Sequence, residues 1–536
     1  MSRLEIASPK RAKIVMEGLY KDLERRIESS PPGLCPVDMA RAFLELCHAQ
    51  TCGKCVPCRI GLGQLNNFIR EVLDGKATMK TLDIMEQTAL SIMESADCAI
   101  GYEAANMVYK GLIGYRDDYI EHIQNGRCTC TYNQPVPCVS LCPAHVDIPG
   151  YVALVGEGRY ADAIRLLRKD NPFPTTCGFI CEHPCEARCR RNMVDDSINI
   201  RGLKRVAADF AGEVDPPQCA PSTGKKIAIL GGGPGGLSAA YYLQLMGHQT
   251  TVYEMLPELG GMLRYGIPNY RLPKERLDDD IRAILKTGVQ VKNGLKIGQD
   301  ITIQELRQQY DVVLITIGAS TDKKLGLENE DADGILSAVQ FLRNVGKNQI
   351  MDLTGKEVAV IGGGNVSMDA VRTAKRLGAK KVSIVYRRRV ADMTALPGEI
   401  EGAVAEGIEL QTLKAPASID VDENHHVKGI YVTPQMVSSI RDGRASIKPT
   451  GEEDIYISCD VLIVAIGQNI ETHHFEQAGI PVERGKIVTK STGAFENLPG
   501  VFAGGDCASG PASVIKAIAA AKVVAANIDE YLGYHH

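Results

Sequence analysis

The chain has 536 residues, of which 44% are hydrophobic and 23% charged, with a formal net charge of −5. These values are ordinary for a folded globular protein; they exclude a disordered chain and supply no basic field for nucleic acid. No apolar run approaches the ~20 residues of a membrane-spanning helix. The opening MSRLEIASPKRAKIV lacks the apolar core of a signal peptide, so the expectation is a cytoplasmic protein of three or four domains.

Residues 1–34 read as an amphipathic, basic helical extension that stops at Pro31-Pro32-Gly33. Residues 35–125 read as a helical domain. MARAFLELCHAQ, QLNNFIREVLDG and MKTLDIMEQTALSIMES all repeat apolar positions at i, i+3, i+4, and Gly75 is a helix stop. Between the first two lies Cys52-x-x-Cys55-x-x-Cys58, and Cys98 follows after 39 intervening residues. Three thiolates from one loop plus a fourth suit an iron–sulfur cubane; a zinc ribbon would use two separated pairs.

Residues 126–222 read as a second helical domain, with helices over YVALVGEGRYADAIRLLRK and INIRGLKRVAADFAGE. It carries Cys128, Cys130, Cys138, Cys142, Cys177, Cys181, Cys185 and Cys189. With the first group these make twelve of the 17 cysteines, the complement of three four-thiolate clusters. A disulfide framework would require a secreted and usually short chain. Cys35, Cys47, Cys219 and Cys459 stand apart from the groups and read as structural, and His48 and His183 as satisfied polar residues.

At Lys225 the pattern becomes α/β. KKIAILGGGPGG is a strand, a glycine turn and a helix start, and DVVLITIGA closes the unit. KEVAVIGGGN opens a second unit, which ends at DVLIVAIGQ, a repeat of DVVLITIGA. The expected fold class is therefore multidomain α plus α/β: helical iron–sulfur domains, then two Rossmann-like nucleotide domains. The second of these (341–464) is inserted into the first (223–340 and 465–536).

Gly231-x-Gly233-x-x-Gly236, with Pro234, Gly235 and Leu237 between and after, lets a dinucleotide's pyrophosphate approach a helix N-terminus. Glu254 ends the next strand, where an acid binds ribose hydroxyls. Gly362-x-Gly364-x-x-Ser367, with Asn365, is the second fingerprint. Its next strand ends not in an acid but in Arg387, Arg388 and Arg389. A guanidinium grips a 2′-phosphate that a carboxylate would repel, so this site is expected to take NADP(H) rather than NAD. The first site is then expected to hold FAD. Gly504-Gly505-Asp506 places Asp506 as a candidate ligand of the flavin's ribityl or phosphate region, and Cys507 reads as packing. No catalytic acid–base residue is expected, because hydride exchange between nicotinamide and flavin needs orientation rather than a protein proton donor.

The stretches PCVSLCPAHVDIPGYV, CGFICEHPCEARC, GGGPGGLSAAYYL, GGMLRYGIPNYRLP, GGGNVSMDAVRTAKRLGA, VSIVYRRR and FAGGDCASGPASVIKAIAAAK resemble the glutamate synthase small subunit. They also resemble the flavin half of dihydropyrimidine dehydrogenase and the large subunit of Nfn-type transhydrogenase. The resemblance implies FAD held by Gly233–Leu237, Glu254, Leu263, Arg271 and Asp506, and NADP(H) held by Gly364, Asn365, Arg387 and Arg388. Gly261 and Gly505 from the matching stretches are assigned to the flavin site, and Gly467 of the DVLIVAIGQ strand to the nucleotide sites. The resemblance also implies interleaved clusters. Cys128, Cys130, Cys138 and Cys189 would hold one. Cys142, Cys181 and Cys185 would hold the other, with Cys177 or a non-cysteine side chain as fourth ligand. The Cys128/Cys130 spacing departs from that pattern.

TCGKCVPCRIG and ADCAIGYEAANMVYKGLIGYRDDYIEHI are similar to the C-terminal cluster domain of the NADH-binding flavoprotein of complex I. The combination resembles the NADP-binding subunit of Stn-type electron-bifurcating transhydrogenases. That implies a partner subunit with FMN and an NAD site, a further iron–sulfur subunit, and ferredoxin as a candidate third participant. The alternatives are a small subunit of NADPH glutamate synthase, an electron-transfer subunit of a hydrogenase or formate dehydrogenase, and a non-enzymatic cluster scaffold.

Overall fold

The computed structural model describes residues 15, 16, 18, 19, 35–125, 136–441 and 444–534. Most of the expected N-terminal extension, together with Cys128 and Cys130, lies outside the described residues. The chain forms two compact units, residues 1–148 with 183–200 and residues 149–182 with 201–536. The cysteine-rich stretch thus contributes to both.

The first unit is helical. Its helices are α1 (Pro36–Ala49), α2 (Leu62–Leu73), α3 (Met79–Ser95), α4 (Ala99–Gly114) and α5 (Arg116–Asn125). The i, i+3, i+4 stripes face one core of Phe43, Leu44, Leu65, Ile69, Leu82, Met85, Val108 and Leu112, as amphipathic helices require. α2 stops at Gly75, whose φ of +68° is a left-handed conformation that glycine tolerates without strain. Where α3 begins, the Thr81 hydroxyl accepts the Thr78 N–H at 3.0 Å. Tyr115 at the end of α4 donates its hydroxyl to the Arg188 carbonyl at 3.1 Å, tying residues 183–200 to the bundle.

The second unit begins with short helices. The single helix expected over residues 151–169 is two, Ile148–Gly156 and Tyr160–Arg168. Gly158, at φ +73°, breaks it, because the turn takes a left-handed residue that a continuing helix excludes. α6 (Pro174–Ile180) follows, then Ile200–Phe210.

Ten strands build the two nucleotide sheets. They are β1 (Lys226–Leu230), β2 (Gln249–Glu254), β3 (Gln290–Asn293), β4 (Val312–Ile315), β5 (Ile335–Ser337), β6 (Glu357–Ile361), β7 (Lys381–Tyr386), β8 (Glu409–Thr412), β9 (Val461–Val464) and β10 (Val501–Ala503). The first sheet has the order β10-β4-β1-β2-β3 and the second β5-β9-β6-β7-β8, all parallel. β10 returns to pair with β4 after the whole second sheet has been made, so the insertion and the fold class expected from the repeated strand motif are as observed. The near-continuous apolar strands β1, β4, β6 and β9 are buried along almost their whole length, as parallel strands covered on both faces must be.

An antiparallel sheet of 414–421, 427–441, 444–449 and 455–458 interrupts the second nucleotide sheet between β8 and β9. The sequence reading assigned nothing there.

Candidate functional site

In the first unit, Cys52, Cys55 and Cys58 leave α1 and enter a π-helical turn, Pro57–Gly61, that leads into α2. Cys98 is the residue at the N-terminus of α4. Cys58 is buried, Cys55 and Cys98 are half-buried and Cys52 is exposed. Burial pushes the Cys58 thiol up to about 12, and Cys55, Cys98 and Cys52 each add to the rise. The three neighbouring thiols thus oppose ionisation of Cys58, and a cationic group beside them would offset that opposition. Gly101 leaves room for this sulfur: a Cβ there would stand 2.6 Å from Cys58 Sγ.

Among the described residues no three His, Cys, Asp or Glu side chains converge as they would around one bare ion. A cubane spreads its four thiolates around a larger cage, and the described donors, all sulfur, suit that group. In the same unit, burial raises the Cys138 thiol, with Cys189 and then Cys142 contributing. Cys185 is buried in this unit too. The second unit holds Cys177 and Cys181, whose thiols also interact, and burial drives Cys177 strongly upward. The Cys177 sulfur lies 3.8 Å from Asn171 Oδ1. No disulfide joins any of the fifteen described cysteines.

The first glycine turn links β1 to α7 (Pro234–Leu245). Its glycines divide by task. A Cβ on Gly231 would sit 2.5 Å from the Thr316 carbonyl, and one on Gly236 would strike the Gly231 carbonyl, so these two allow helix and strand to touch. Gly235 faces open space, and the only atom near a Cβ on Gly233 is Gly261 Cα at 3.8 Å. The room beside them is what a pyrophosphate at this helix N-terminus would fill. Glu254 caps the turn: its carboxylate accepts the Gly232 and Leu256 N–H groups at 2.7 and 2.8 Å. Burial nevertheless raises its pKa.

The cavity here is about 100 Å³ and is lined by Gly231, Gly233, Pro234, Gly235, Glu254, Gly261, Thr316, Gly505 and Asp506. A second, of about 80 Å³, shares Gly231, Glu254, Ile317 and Ser320 with it. Asp506 is mostly buried, and its Oδ1 has no hydrogen-bond partner. Desolvation lifts its pKa to about 6. An orphaned buried acceptor beside a glycine cradle fits a polyhydroxylated ligand such as the ribityl chain of FAD. Leu237 is buried in the body of α7 and Leu263 in the core, and neither lines the cavity. Arg271 does not line it either; it pairs instead with Asp369 at 2.7 Å and Glu399 at 3.1 Å. Thr316 follows β4 inside DVVLITIGA; the sequence reading uses that stretch to close the unit and assigns Thr316 no role.

The second glycine turn links β6 to α8 (Asn365–Arg376) and opens on a cavity of about 840 Å³, within the size range of small-molecule sites. Gly362, Gly364, Asn365, Arg387, Arg388 and Gly467 line it. Ser367 does not, being buried with its Oγ 2.5 Å from where a Gly362 Cβ would be.

The three arginines after β7 have different fates. Arg389 is held by Asp392 at 2.8 and 2.9 Å, and that guanidinium draws the Asp392 carboxyl down to about 2. Arg388 donates Nε to the Ala445 carbonyl at 3.1 Å. Arg387 is exposed and, among the described residues, pairs with no carboxylate. One guanidinium without a carboxylate among the described residues and one partly engaged one, both lining this cavity, have the chemistry to fit a 2′-phosphate. Glu182 and Lys516 also line the cavity. Glu182 lies inside CGFICEHPCEARC, and the sequence reading assigns it no role.

Three family models match the chain: pyridine nucleotide-disulphide oxidoreductase over residues 225–521, the iron–sulfur binding region of NADH-ubiquinone oxidoreductase F over 38–122, and the 4Fe–4S cluster domain II of dihydropyrimidine dehydrogenase over 114–215. The NADP(+)-dependent formate dehydrogenase subunit beta of Moorella thermoacetica is 32% identical over 92% of this chain and 79% of its own. The NADPH-Fe(3+) oxidoreductase subunit beta of Geobacter sulfurreducens is 34% identical over 94% and 79%. The glutamate synthase [NADPH] small chain of Escherichia coli is 34% identical over 74% and 88%.

Proposed function

The chain belongs to the pyridine nucleotide-disulphide oxidoreductase family and is an NADPH-linked flavin and iron–sulfur oxidoreductase subunit; from that premise we propose that it exchanges electrons between NADP(H) and a partner subunit, through FAD and three [4Fe–4S] clusters. The observation that carries this reading is a single second unit holding both a flavin-type cradle with an orphaned Asp506 and a cavity lined by Arg387, which pairs with no carboxylate among the described residues. The neighbouring thiols of Cys52, Cys55, Cys58 and Cys98, which act electrostatically on Cys58, would supply a further relay in the first unit. Flavin in the first cradle would supply exchange between hydride chemistry and single-electron transfer.

The chain's own part is to bind and to orient. The glycine turns seat the pyrophosphates, Glu254 and Asp506 hold hydroxyls, Arg387 and Arg388 select the 2′-phosphate, and the cysteines hold iron. The domain boundaries read from the sequence are proposed with these roles. A cytoplasmic setting, where thiols stay reduced, is proposed too; among the described residues no helix is long and apolar enough to cross a membrane.

The partner is proposed to carry FMN and an NAD site, as in an electron-bifurcating transhydrogenase, with ferredoxin as third participant. A second reading, an electron-transfer subunit serving a formate-oxidising partner, is favoured by the Moorella relative, which aligns across both cluster segments and both nucleotide regions. A glutamate synthase role is less well supported, since that relative aligns with only 74% of the chain.

Anaerobic purification with metal and flavin analysis tests the proposal. About twelve irons and one FAD per chain are expected from three cubane clusters, and four irons or fewer would reject it. Copurified subunits distinguish the partners: an FMN-containing NADH oxidoreductase supports the first, and a formate-oxidising subunit the second.

A further inference from the structure

The segment between Cys181 and Cys185 is read above only as cluster-binding. Glu182, the residue after Cys181, also lines the proposed NADP(H) cavity. Its Oε1 lies 3.4 Å from Nδ2 of Asn365, the first residue of α8. The other end of that amide is committed, since Asn365 Oδ1 accepts the Leu396 N–H at 3.0 Å. The Asn365 side chain therefore presents its NH₂ group to Glu182. A carboxylate thus stands beside the first residue of a twelve-residue helix, where the first-turn N–H groups and the helix dipole favour an anion. The same turn is where a dinucleotide's pyrophosphate would lie. Gly364 keeps that turn open, its Cβ position meeting only Thr394 Oγ1 at 3.4 Å.

Resting on the NADP(H) reading of this cavity, we propose that Glu182 is a competing anion. It occupies the phosphate position of α8 when the cavity is empty and is displaced when the nucleotide enters. Because Glu182 is bonded directly to Cys181, its displacement moves the backbone beside a proposed cluster ligand. Nucleotide occupancy and the environment of that cluster are then linked, and by reciprocity each biases the other.

The sign is specific. A residue that merely binds NADP(H) would weaken binding when removed, whereas a competitor strengthens it. Glu182→Gln removes the charge and keeps the shape. It is expected to tighten NADP+ binding by roughly two- to tenfold, the scale of one charge at a helix terminus, with the gain shrinking as salt rises.

The test uses the anaerobically purified full chain. NADP+ affinity is titrated for wild type and Glu182→Gln with the oxidised protein, and the low-temperature electron paramagnetic resonance signal of the dithionite-reduced protein is recorded with and without NADPH. Expected are tighter binding in the variant and a nucleotide-dependent change of the signal in wild type that is smaller in the variant. Equal or weaker binding by the variant, at unchanged iron and flavin content, overturns the inference while leaving the NADP(H) site standing. Failure of the wild type to bind NADP+ overturns both. Glu182→Ala serves as the second variant should Glu182→Gln lose iron, and the same tightening is expected of it.

Discussion

Arg271 reaches Asp369 at 2.7 Å, joining the segment after the flavin-type cradle to α8 of the inserted nucleotide region, with both side chains buried. Glu399 completes the set by bonding Arg271 at 3.1 Å and Arg372 at 2.7 Å. Burial alone would raise Asp369, and it does, to about 6 despite the guanidinium. The pair is therefore a tie between regions rather than a large source of stability. Removing one partner leaves a buried charge uncompensated and typically costs about 3–5 kcal/mol. Arg271→Met is expected to lower the first thermal transition well below that of Arg271→Met/Asp369→Leu, as read by calorimetry. Equal transitions would remove the coupling.

The arginine run makes a sharper prediction because its members differ. Arg387→Ala is expected to weaken NADPH binding about tenfold or more, on the scale of ~1.5–3 kcal/mol per charged hydrogen bond, and to leave NADH binding nearly unchanged. Arg389→Ala should instead loosen the Asp392 loop and alter both nucleotides alike, since its guanidinium is spent on Asp392. The ratio of KM values for NADPH and NADH separates the two variants.

The flavin cradle is tested by two glycines with opposite surroundings. Gly231 has φ +111° and no room for a Cβ, so Gly231→Ala is expected to yield little folded, yellow protein. A Cβ on Gly235 meets nothing within 4 Å. Gly235→Ala should fold normally, with an unchanged circular dichroism spectrum, yet retain less FAD through gel filtration.

The pH dependence of flavin retention should follow Asp506. Its folded-state pKa of about 6 exceeds the ordinary 3.8 because burial disfavours the charge. Without ligand, the folded form then binds a proton more tightly than the unfolded form. That contribution to stability is complete below about 4 and is lost as pH rises through 6. Hydroxyl donors on a bound flavin reverse the preference by satisfying the ionised Oδ1. FAD is expected to be held more tightly above pH 6 than below it, by absorbance after desalting. Asp506→Asn should flatten that step.

Much of the candidate site is legible in the sequence alone. Gly231, Gly233, Gly362 and Gly364 announce themselves because only a strand–glycine–helix junction needs that spacing, and the repeat of DVVLITIGA in DVLIVAIGQ announces the insertion. The antiparallel sheet between β8 and β9 was not legible. Its longest strand, Val427–Arg441, mixes apolar and polar residues with bulges, so no clean alternation marks it. The helix over residues 151–169 was overextended because apolar periodicity survives on both sides of Gly158.

The sequence by itself determined which chemistries are present: thiolates in groups of four, two pyrophosphate turns, an acid after one and arginines after the other. These are local, set by residue type and by spacing along a few turns of chain. Only the tertiary structure decided how they are used. It engaged Arg389 and left Arg387 without a carboxylate, turned Arg271 toward Asp369 rather than the flavin-type cavity, and brought Glu182 to the first turn of α8. Those outcomes depend on which charges meet across distant segments, and a pattern read along one strand or helix carries no information about such meetings.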